Sequence, residues 1–269
     1  MTQNTFDPKN STAAITGASS GIGYELAKKF AAAGFDLIVA AENPEIEEAA
    51  IDFRRMGVEV EAVQVDLSDF DAVEKLYHSI RNAPKTVEVV AMNAGVGVGG
   101  EFAKTELEKE LCLVRLNIDS LIHLSKRIVP DFIQRGRGRI LFTSSLAAEM
   151  PGPYYAVYAA SKAFVQSFAE ALRIEVKDQG VIVTALQPGA TETQFFARAN
   201  MLNTAVGASK KDSPSDVADD GYKALMEGRD HIVAGSLKNA FQASMAKFVT
   251  QAQAAKLQGA QVKPGSAKH

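Results

Sequence analysis

The 269-residue chain is 46% hydrophobic and 23% charged, a composition typical of globular proteins. Its formal net charge is −3, and acidic and basic residues are interspersed, which argues against a nucleic-acid-binding surface or a basic membrane-binding patch. The N-terminus is polar, and no apolar run approaches the ~18 residues of a membrane span, so we expect neither a targeting segment nor a membrane span. One cysteine and four histidines predict a reducing, cytoplasmic environment without disulfides and without a metal site.

Short apolar runs alternate with amphipathic stretches along most of the chain. The apolar runs predict strands, and the stretches with apolar residues three and four positions apart predict helices. The predicted strands are Ser11–Thr16, Leu37–Ala41, Val58–Val65, Val87–Ala91, Arg139–Thr143, Val181–Leu186 and His231–Ala234. The predicted helices cover Gly21–Ala33, a stretch from Pro44, a stretch from Ser68 or Asp69 to about Arg81, about Thr105 to Arg135 with a kink or division at Pro130, a stretch through Tyr158 and Lys162 to about Asp178, a stretch from Ser213-Pro214, and Leu237–Leu257.

Strands that alternate with helices predict parallel strands joined by right-handed crossovers. We therefore expect a single doubly wound α/β domain over residues 1–257, with a mainly parallel seven-stranded sheet and helices on both faces. Residues 258–269 are polar and contain Gly and Pro, so a mobile tail is expected there. Ligands of such sheets bind at the carboxyl ends of the strands.

One stretch after the fifth strand carries acid–base residues. If Tyr158 and Lys162 lie on a helix, their i and i+4 spacing places both on one face. A positive charge about 5 Å from a phenol, at an effective dielectric of about 20, stabilises the phenolate by roughly 3 kcal/mol. This energy would bring the pKa of Tyr158 from its usual value of about 10 toward neutral, where a general acid or base works best.

A glycine-rich turn joins the first strand to the first helix. Gly17 permits a tight turn, and Gly21 and Gly23 let a pyrophosphate approach backbone N–H groups at a helix N-terminus. Directly after a first strand, this motif favours dinucleotide binding over an ordinary surface turn.

The end of the second strand normally contacts the adenosine ribose. Glu42 there could bond the ribose hydroxyls of NAD, whereas Ser19, Ser20 and Asn43 could bond the 2′-phosphate of NADP. Both cofactors stay open, with a slight preference for NADP(H). Asp66, after the third strand, could accept from the adenine amino group, and Asn93–Gly95 ends the fourth strand with small residues that admit a cofactor.

Together, these motifs resemble the classical short-chain dehydrogenase/reductase family over roughly Ala13–Ala234. The matched positions are Thr-Gly-x-x-x-Gly-x-Gly at 16–23, Asn-Ala-Gly at 93–95, Asn117, Ser145, Tyr-x-x-x-Lys at Tyr158 and Lys162, and Pro-Gly-x-x-x-Thr at Pro188, Gly189 and Thr193. The chain departs from the family at Met92, where an asparagine is usual. Ser20 occupies a position where the extended, epimerase branch of the family would need glycine.

The resemblance implies a Rossmann fold and hydride transfer between a nicotinamide cofactor and a carbonyl or secondary alcohol. It implies that Ser145 bonds the substrate oxygen and that Tyr158 transfers the proton. Lys162 would lower the pKa of Tyr158 and bond the nicotinamide ribose, and Asn117 would hold a water. The implied cofactor-binding residues are Gly17, Ser19, Ser20, Gly21, Ile22, Gly23, Glu42, Asp66, Leu67, Asn93, Ala94, Gly95, Tyr158, Lys162, Pro188, Gly189, Thr191 and Thr193.

The long connection 193–211 is predicted to form a substrate lid. Its apolar residues, Phe195 and Phe196 among them, favour an uncharged carbonyl or alcohol substrate. Tyr154 and Tyr155 belong either to the pocket wall or to the surface. The family's helices at 105–135 and around Tyr158 usually form subunit contacts, so a homodimer or homotetramer is expected.

Two other functions stay open at this stage. A 3-oxoacyl or hydroxyacyl thioester reductase would use the same catalytic residues. A protein that binds the dinucleotide without turnover would keep the fold alone, although the intact set of Asn117, Ser145, Tyr158 and Lys162 argues against that reading.

Overall fold

The computed structural model describes residues 6–236, 239, 243 and 250–267. Within these residues seven strands form one sheet in the order β3-β2-β1-β4-β5-β6-β7, and every pairing is parallel. The strands are β1 (Ser11–Thr16), β2 (Asp36–Ala41), β3 (Val60–Gln64), β4 (Thr86–Met92), β5 (Gly138–Thr143), β6 (Val181–Pro188) and β7 (His231–Ala234). The predicted doubly wound sheet is confirmed.

Helices cover both faces of this sheet, because central strands such as β1 and β5 are buried along their whole length and need apolar cover on both sides. The helices are α1 (Gly21–Ala32), α2 (Glu45–Arg54), α3 (Phe70–Arg81), α4 (Leu107–Val114), α5 (Ser120–Arg135), α6 (Ala156–Val176), α7 (Phe195–Arg198), α8 (Ala205–Ala208), α9 (Pro214–Glu227) and α10 (Gln251–Val262). One core packs α3, α5 and α6 against the sheet, and the opposite core packs α1, α2 and α9. No helix of the described ranges is both long and apolar enough to span a bilayer.

The alternation of side chains along the strands creates these two cores. On β1, Ala14 belongs to one core, while Ala13 and Ile15 belong to the other. The strand order reverses at β1, which pairs with both β2 and β4. A ligand crevice is expected at the carboxyl ends of these strands.

Of the kink or division predicted at Pro130, the division is wrong. Helix α5 runs through Pro130, and the change of winding lies earlier, in a π-helical turn at Arg115–Asp119. Proline in a helix interior costs about 3 kcal/mol. Ile128 and Phe132, which flank it, are each 1% exposed, so their burial offsets this cost and keeps the helix intact.

The C-terminal region also differs from expectation. Much of the predicted helix Leu237–Leu257 falls outside the described residues. Instead of a mobile tail after residue 257, helix α10 continues to Val262, with Gln258, Gly259 and Val262 buried. A Cβ added at Gly259 would lie 3.3 Å from the side chain of Pro153, so α10 packs closely against the segment that precedes α6. Tertiary packing therefore orders residues whose polar composition suggested a tail.

Candidate active site

A cleft of about 490 Å³ lies at the carboxyl ends of the strands, in the size range of small-molecule sites. It brings together nearly all residues that the sequence singled out. The predicted residues that line it are Gly17, Ser19, Ser20, Gly21, Ile22, Glu42, Asp66, Leu67, Asn93, Ala94, Gly95, Ser145, Tyr158, Lys162, Pro188, Gly189, Thr191 and Thr193. Gly23 and Asn117 are not among the lining residues; their backbone and side-chain contacts support the wall.

The glycine turn after β1 forms the floor of one end of the cleft. Gly17 and Gly21 have φ of +69° and +60°, a region in which glycine carries no steric penalty. A Cβ at Gly23 would lie 2.1 Å from the carbonyl oxygen of Gly17, so only glycine lets the turn close against α1. Ser20 is the N-cap of α1, and its side chain makes no capping hydrogen bond.

This turn fits the pyrophosphate of a dinucleotide. The N-terminus of α1 faces the cleft without a side-chain cap, and its N–H groups and dipole favour an anion. The strands beside it end in small residues, Ala41 and Ala94, that leave room for a ligand.

Among the described residues no group of three or more His, Cys, Asp or Glu is arranged to hold a metal ion.

The end of β2 presents groups of both charges to the cleft. The Glu42 carboxylate lies 3.7 Å from the guanidinium of Arg198 on α7. The Glu42 carbonyl accepts a hydrogen bond from Gln64 at 3.1 Å, which holds this backbone in place. The Asn43 side-chain oxygen is buried without a partner among the described residues. At the end of β3, the Asp66 carboxylate accepts from the Ser68 N–H at 2.9 Å.

Hydrogen bonds lock the end of β4 to its neighbours. The Thr16 hydroxyl accepts from the backbone N–H groups of Asn93 and Ala94, each at 3.0 Å. The Asn93 amide donates to the Thr16 carbonyl at 3.2 Å, and its oxygen accepts from the Thr143 hydroxyl at 3.2 Å. These bonds join β1, β4 and β5 where the cleft opens, so the floor of the site is rigid.

The two serines after β5 point in different directions, as strand alternation requires. The Ser144 hydroxyl is buried and donates to the Lys162 carbonyl at 3.0 Å. Ser145 lines the cleft beside Tyr158, and its hydroxyl acts to lower the pKa of that phenol. It also accepts from the Ala147 N–H at 3.1 Å, which fixes its rotamer.

Tyr158 and Lys162 share one face of α6, as their spacing predicts. Both are buried, at 8% and 5% exposure, and the Lys162 ammonium lies 6.0 Å from the centroid of the Tyr158 ring. The ammonium donates to the Thr143 carbonyl at 2.8 Å. One of its three N–H donors is thereby used, and Lys162 lines the cleft.

The predicted lowering of the Tyr158 pKa is wrong for this protein without a ligand. Burial raises the pKa of the Tyr158 phenol above its usual value, and the nearby Ser145 hydroxyl only partly opposes this effect. Burial likewise lowers the pKa of Lys162 from 10.5 to about 8. The cost of removing each group from water outweighs the attraction between the ammonium and the phenolate.

Asn117 lies in the π-helical turn that interrupts the α4–α5 region. Its side-chain oxygen accepts from the Val96 N–H and its amide donates to the Val96 carbonyl, both at 3.0 Å. A further bond at 3.0 Å joins its amide to the Ser161 hydroxyl. A Cβ at Gly95 would lie 3.1 Å from the Asn117 oxygen and 3.2 Å from the Lys162 ammonium. The absence of a side chain at Gly95 therefore lets these two groups approach each other.

The connection predicted as a lid closes one side of the cleft. Two short helices, α7 and α8, lie within it, and the Phe195 ring packs 5.0 Å from the Tyr158 ring. At its base, the Thr193 hydroxyl accepts from the Phe195 N–H at 3.2 Å. A Cβ at Gly21 would meet Thr193 at 2.9 Å, so the lid starts directly beside the glycine turn.

Helix α10 and Asn239 contribute residues to the cleft that no sequence pattern indicated. Gln258, Gln261 and Val262 line the cleft, as does Asn239. The Asn239 amide donates to the Asp212 carboxylate at 2.7 Å and to the Ala234 carbonyl at 2.8 Å. No local motif marks any of these positions, because their place in the site depends on how the C-terminal region folds back. Tyr155, left open between wall and surface, is 6% exposed and belongs to the wall.

Comparisons with known proteins agree with this geometry. The family model described as short chain dehydrogenase matches residues 11–203. The oxidoreductase UcpA of Salmonella typhimurium is 30% identical over 245 residues, covering 90% of this chain and 91% of the relative.

Two solved structures have similar folds. A short-chain dehydrogenase from Sphingobium yanoikuyae in complex with NADPH superposes with a TM-score of 0.78 at 28% identity, covering 91% of this chain and 98% of that one. A 3-ketoacyl-(acyl-carrier-protein) reductase from Brucella melitensis complexed with NADH has a TM-score of 0.72 at 26% identity, covering 81% and 91%. The chain thus belongs to the classical short-chain dehydrogenase/reductase family and is an NAD(P)-dependent oxidoreductase.

Proposed function

We propose that the protein transfers a hydride between NAD(P)(H) and a small carbonyl compound or secondary alcohol, with Tyr158 as the general acid and base. The observation that carries this proposal is the convergence of Ser145, Tyr158 and the buried ammonium of Lys162 on the cleft that begins at the glycine turn. The three groups converge on one place where a carbonyl oxygen can bind.

In this proposal the bound nicotinamide supplies or accepts the hydride. Ser145 donates a hydrogen bond to the substrate oxygen and orients it. Tyr158 gives its phenolic proton to that oxygen when the carbonyl is reduced, and takes the proton back when the alcohol is oxidised. Because burial keeps Tyr158 protonated, the site without a ligand is set for proton donation to a carbonyl oxygen.

Lys162 and Asn117 support the proton transfer. With one N–H on the Thr143 carbonyl, the Lys162 ammonium directs its other donors toward the expected position of the nicotinamide ribose. Its charge would favour the phenolate that forms as Tyr158 loses its proton. Asn117 holds the Val96 backbone through two hydrogen bonds, and its place beside Lys162 suits it to position a water for the proton relay.

NADP(H) is proposed as the preferred cofactor. Arg198 brings a cation within 3.7 Å of Glu42 at the end of β2, and the Ser19 and Ser20 hydroxyls line the same end of the cleft. These groups can bond a 2′-phosphate, which the Glu42 carboxylate alone would repel. A Glu42→Gln substitution should therefore raise the affinity for NADPH relative to NADH, as measured by calorimetric titration of each.

The lid residues favour an uncharged substrate with an apolar portion. Phe195, Phe196 and Met201 line the cleft beside Tyr158, and Phe196 and Met201 are buried. An apolar group of the substrate that packs on these rings would displace water from the reacting carbonyl.

The test begins with titration of the protein by NADPH and NADH, followed by a panel of aldehydes, ketones and one 3-oxoacyl thioester with the tighter cofactor. Cofactor oxidation that depends on a simple carbonyl supports the proposal. Turnover of the thioester alone would point instead to a thioester reductase. Tight cofactor binding without turnover of any compound would favour a non-catalytic dinucleotide-binding protein.

A further inference from the structure

A buried amide of α10 sits in the cleft with half of its hydrogen-bonding capacity unused. Gln258 is 9% exposed, and its Nε2 donates to the hydroxyl of Tyr155. Its Oε1 is buried and has no partner among the described residues. An unsatisfied buried acceptor costs about 1–3 kcal/mol, so a ligand that donates to this oxygen would recover that energy.

The Gln258–Tyr155 pair offers a ligand one donor and one acceptor. The Tyr155 oxygen accepts from Gln258, which leaves its own O–H to donate, and burial raises the pKa of this phenol so that the proton is retained. Gln258 Oε1 is the acceptor. In the alternative orientation of the Gln258 amide, Oε1 and Nε2 exchange places and Tyr155 donates to Oε1. The pair then still offers a ligand one donor, Nε2, and one acceptor, the Tyr155 oxygen.

A hydroxyl group matches this pair, because it donates one hydrogen bond and accepts another. A carboxylate offers acceptors only and would leave Gln258 Oε1 unsatisfied, and an ammonium offers donors only and would leave the Tyr155 O–H unused. Both side chains of the pair line the cleft, so the chemistry of the pair favours a neutral group that both donates and accepts, of which a hydroxyl is the smallest.

The pair lies beside the reacting groups. The rings of Tyr155 and Tyr158 stack with centroids 5.7 Å apart and an interplanar angle of 25°. A substrate whose carbonyl is bonded by Tyr158 therefore reaches the pair only through a hydroxyl close to that carbonyl in the same molecule. The surroundings are otherwise apolar, because Val262 and Phe196 pack in the same cluster as the two tyrosines.

We infer that Gln258 and Tyr155 form a hydroxyl-binding subsite and that the substrate is a hydroxy ketone or hydroxy aldehyde, whose reduced product is a diol. This inference rests on the proposed function and narrows its substrate class. Gln258 and Tyr155 would determine specificity, and the proton transfer would stay with Tyr158.

The test uses ketone pairs that differ by one hydroxyl, such as 4-hydroxybutan-2-one with butan-2-one and 2-hydroxycyclohexanone with cyclohexanone. In the wild-type protein, kcat/KM should be higher for the hydroxylated member by about tenfold or more, because the plain ketone leaves the pair unsatisfied. The ratio should fall toward one in Gln258→Leu. Tyr155→Phe, which removes one oxygen and keeps the ring, should lower the ratio as well, even if Gln258→Leu folds poorly.

Gln251→Leu, at an exposed position of the same helix, is the matched control and should keep the wild-type ratio. A second readout is binding of the diols and mono-alcohols to the protein with oxidised cofactor, measured by calorimetry. Tighter binding of the diols that is lost in both variants supports the subsite even if turnover is slow. Equal ratios and equal binding in wild type and variants would overturn the inference, while reduction of plain ketones in the same assays would leave the proposed function standing.

Discussion

Replacing Lys162 by methionine should make the protein without cofactor more stable at neutral pH. Burial lowers the pKa of Lys162 from 10.5 to about 8, which means that the folded state holds this ammonium at a cost. Each pKa unit corresponds to about 1.4 kcal/mol, so the cost at pH 7 is about 3 kcal/mol. Methionine has a similar length and no charge, but it loses the hydrogen bond to the Thr143 carbonyl, worth about 1 kcal/mol. The expected gain in the free energy of unfolding is about 2 kcal/mol.

The gain should depend on pH with a defined sign. Between about pH 8 and 10.5 the unfolded state binds a proton at Lys162 that the folded state does not, so this group makes wild-type stability rise with pH. The advantage of Lys162→Met should therefore be present at pH 7 and disappear by about pH 10. Urea unfolding followed by far-UV circular dichroism measures it at both values, since the chain has no tryptophan for fluorescence.

A matched control separates the burial effect from the exchange of side chains itself. Lys126→Met, at an exposed position of α5, should show no such stabilisation at pH 7. The reasoning is refuted if Lys162→Met is less stable than wild type at pH 7, or if the difference between the two proteins is the same at pH 7 and pH 10.

Three further predictions concern the cofactor turn, the pH profile and assembly. Gly23→Ala should weaken dinucleotide binding by about tenfold or more in calorimetry, because its Cβ would lie 2.1 Å from the Gly17 carbonyl oxygen. Unchanged affinity would contradict the role of the glycine turn in binding the pyrophosphate. Carbonyl reduction should slow as pH rises through about 8, where Lys162 loses its proton, and alcohol oxidation should speed up, because Tyr158 must first lose a proton of raised pKa. Parallel profiles for kcat/KM in the two directions would contradict this assignment. The protein should sediment as a homodimer or homotetramer. Leu107→Asp, at a residue 73% exposed on α4, should shift it toward the monomer, whereas Ile51→Asp on α2 should not. A monomeric wild type at micromolar concentration would refute the prediction.

The alternation of strands and helices was sufficient to predict the parallel sheet and the cleft at the carboxyl ends of its strands. Each apolar run, such as Val181–Leu186, has the length of a strand, and parallel order follows from the helices between runs. The placement of Tyr158 and Lys162 on one face of α6 was also predictable, because spacing alone puts them together.

Features that depend on tertiary packing were not predictable in this way. Pro130 is tolerated inside α5 because of the buried residues beside it, and the π-helical turn at Arg115–Asp119 has no sequence signal. Gln258 looks like a tail residue until α10 packs beside Pro153 and Tyr155. The pKa of Tyr158 depends on how deeply the phenol is buried, which a residue spacing does not specify.

Tyr158→Phe tests the central claim most directly. The substitution removes one oxygen from a buried ring and leaves the cleft's glycine turn untouched, so NADPH should still bind. Carbonyl reduction should fall by about 10²-fold or more, the contribution expected of a general acid. Tyr77→Phe, which removes a hydroxyl bonded to Asp131 outside the cleft, should keep full activity. Tight cofactor binding with turnover lost in Tyr158→Phe alone is the predicted result, and full turnover in that variant would contradict the assignment.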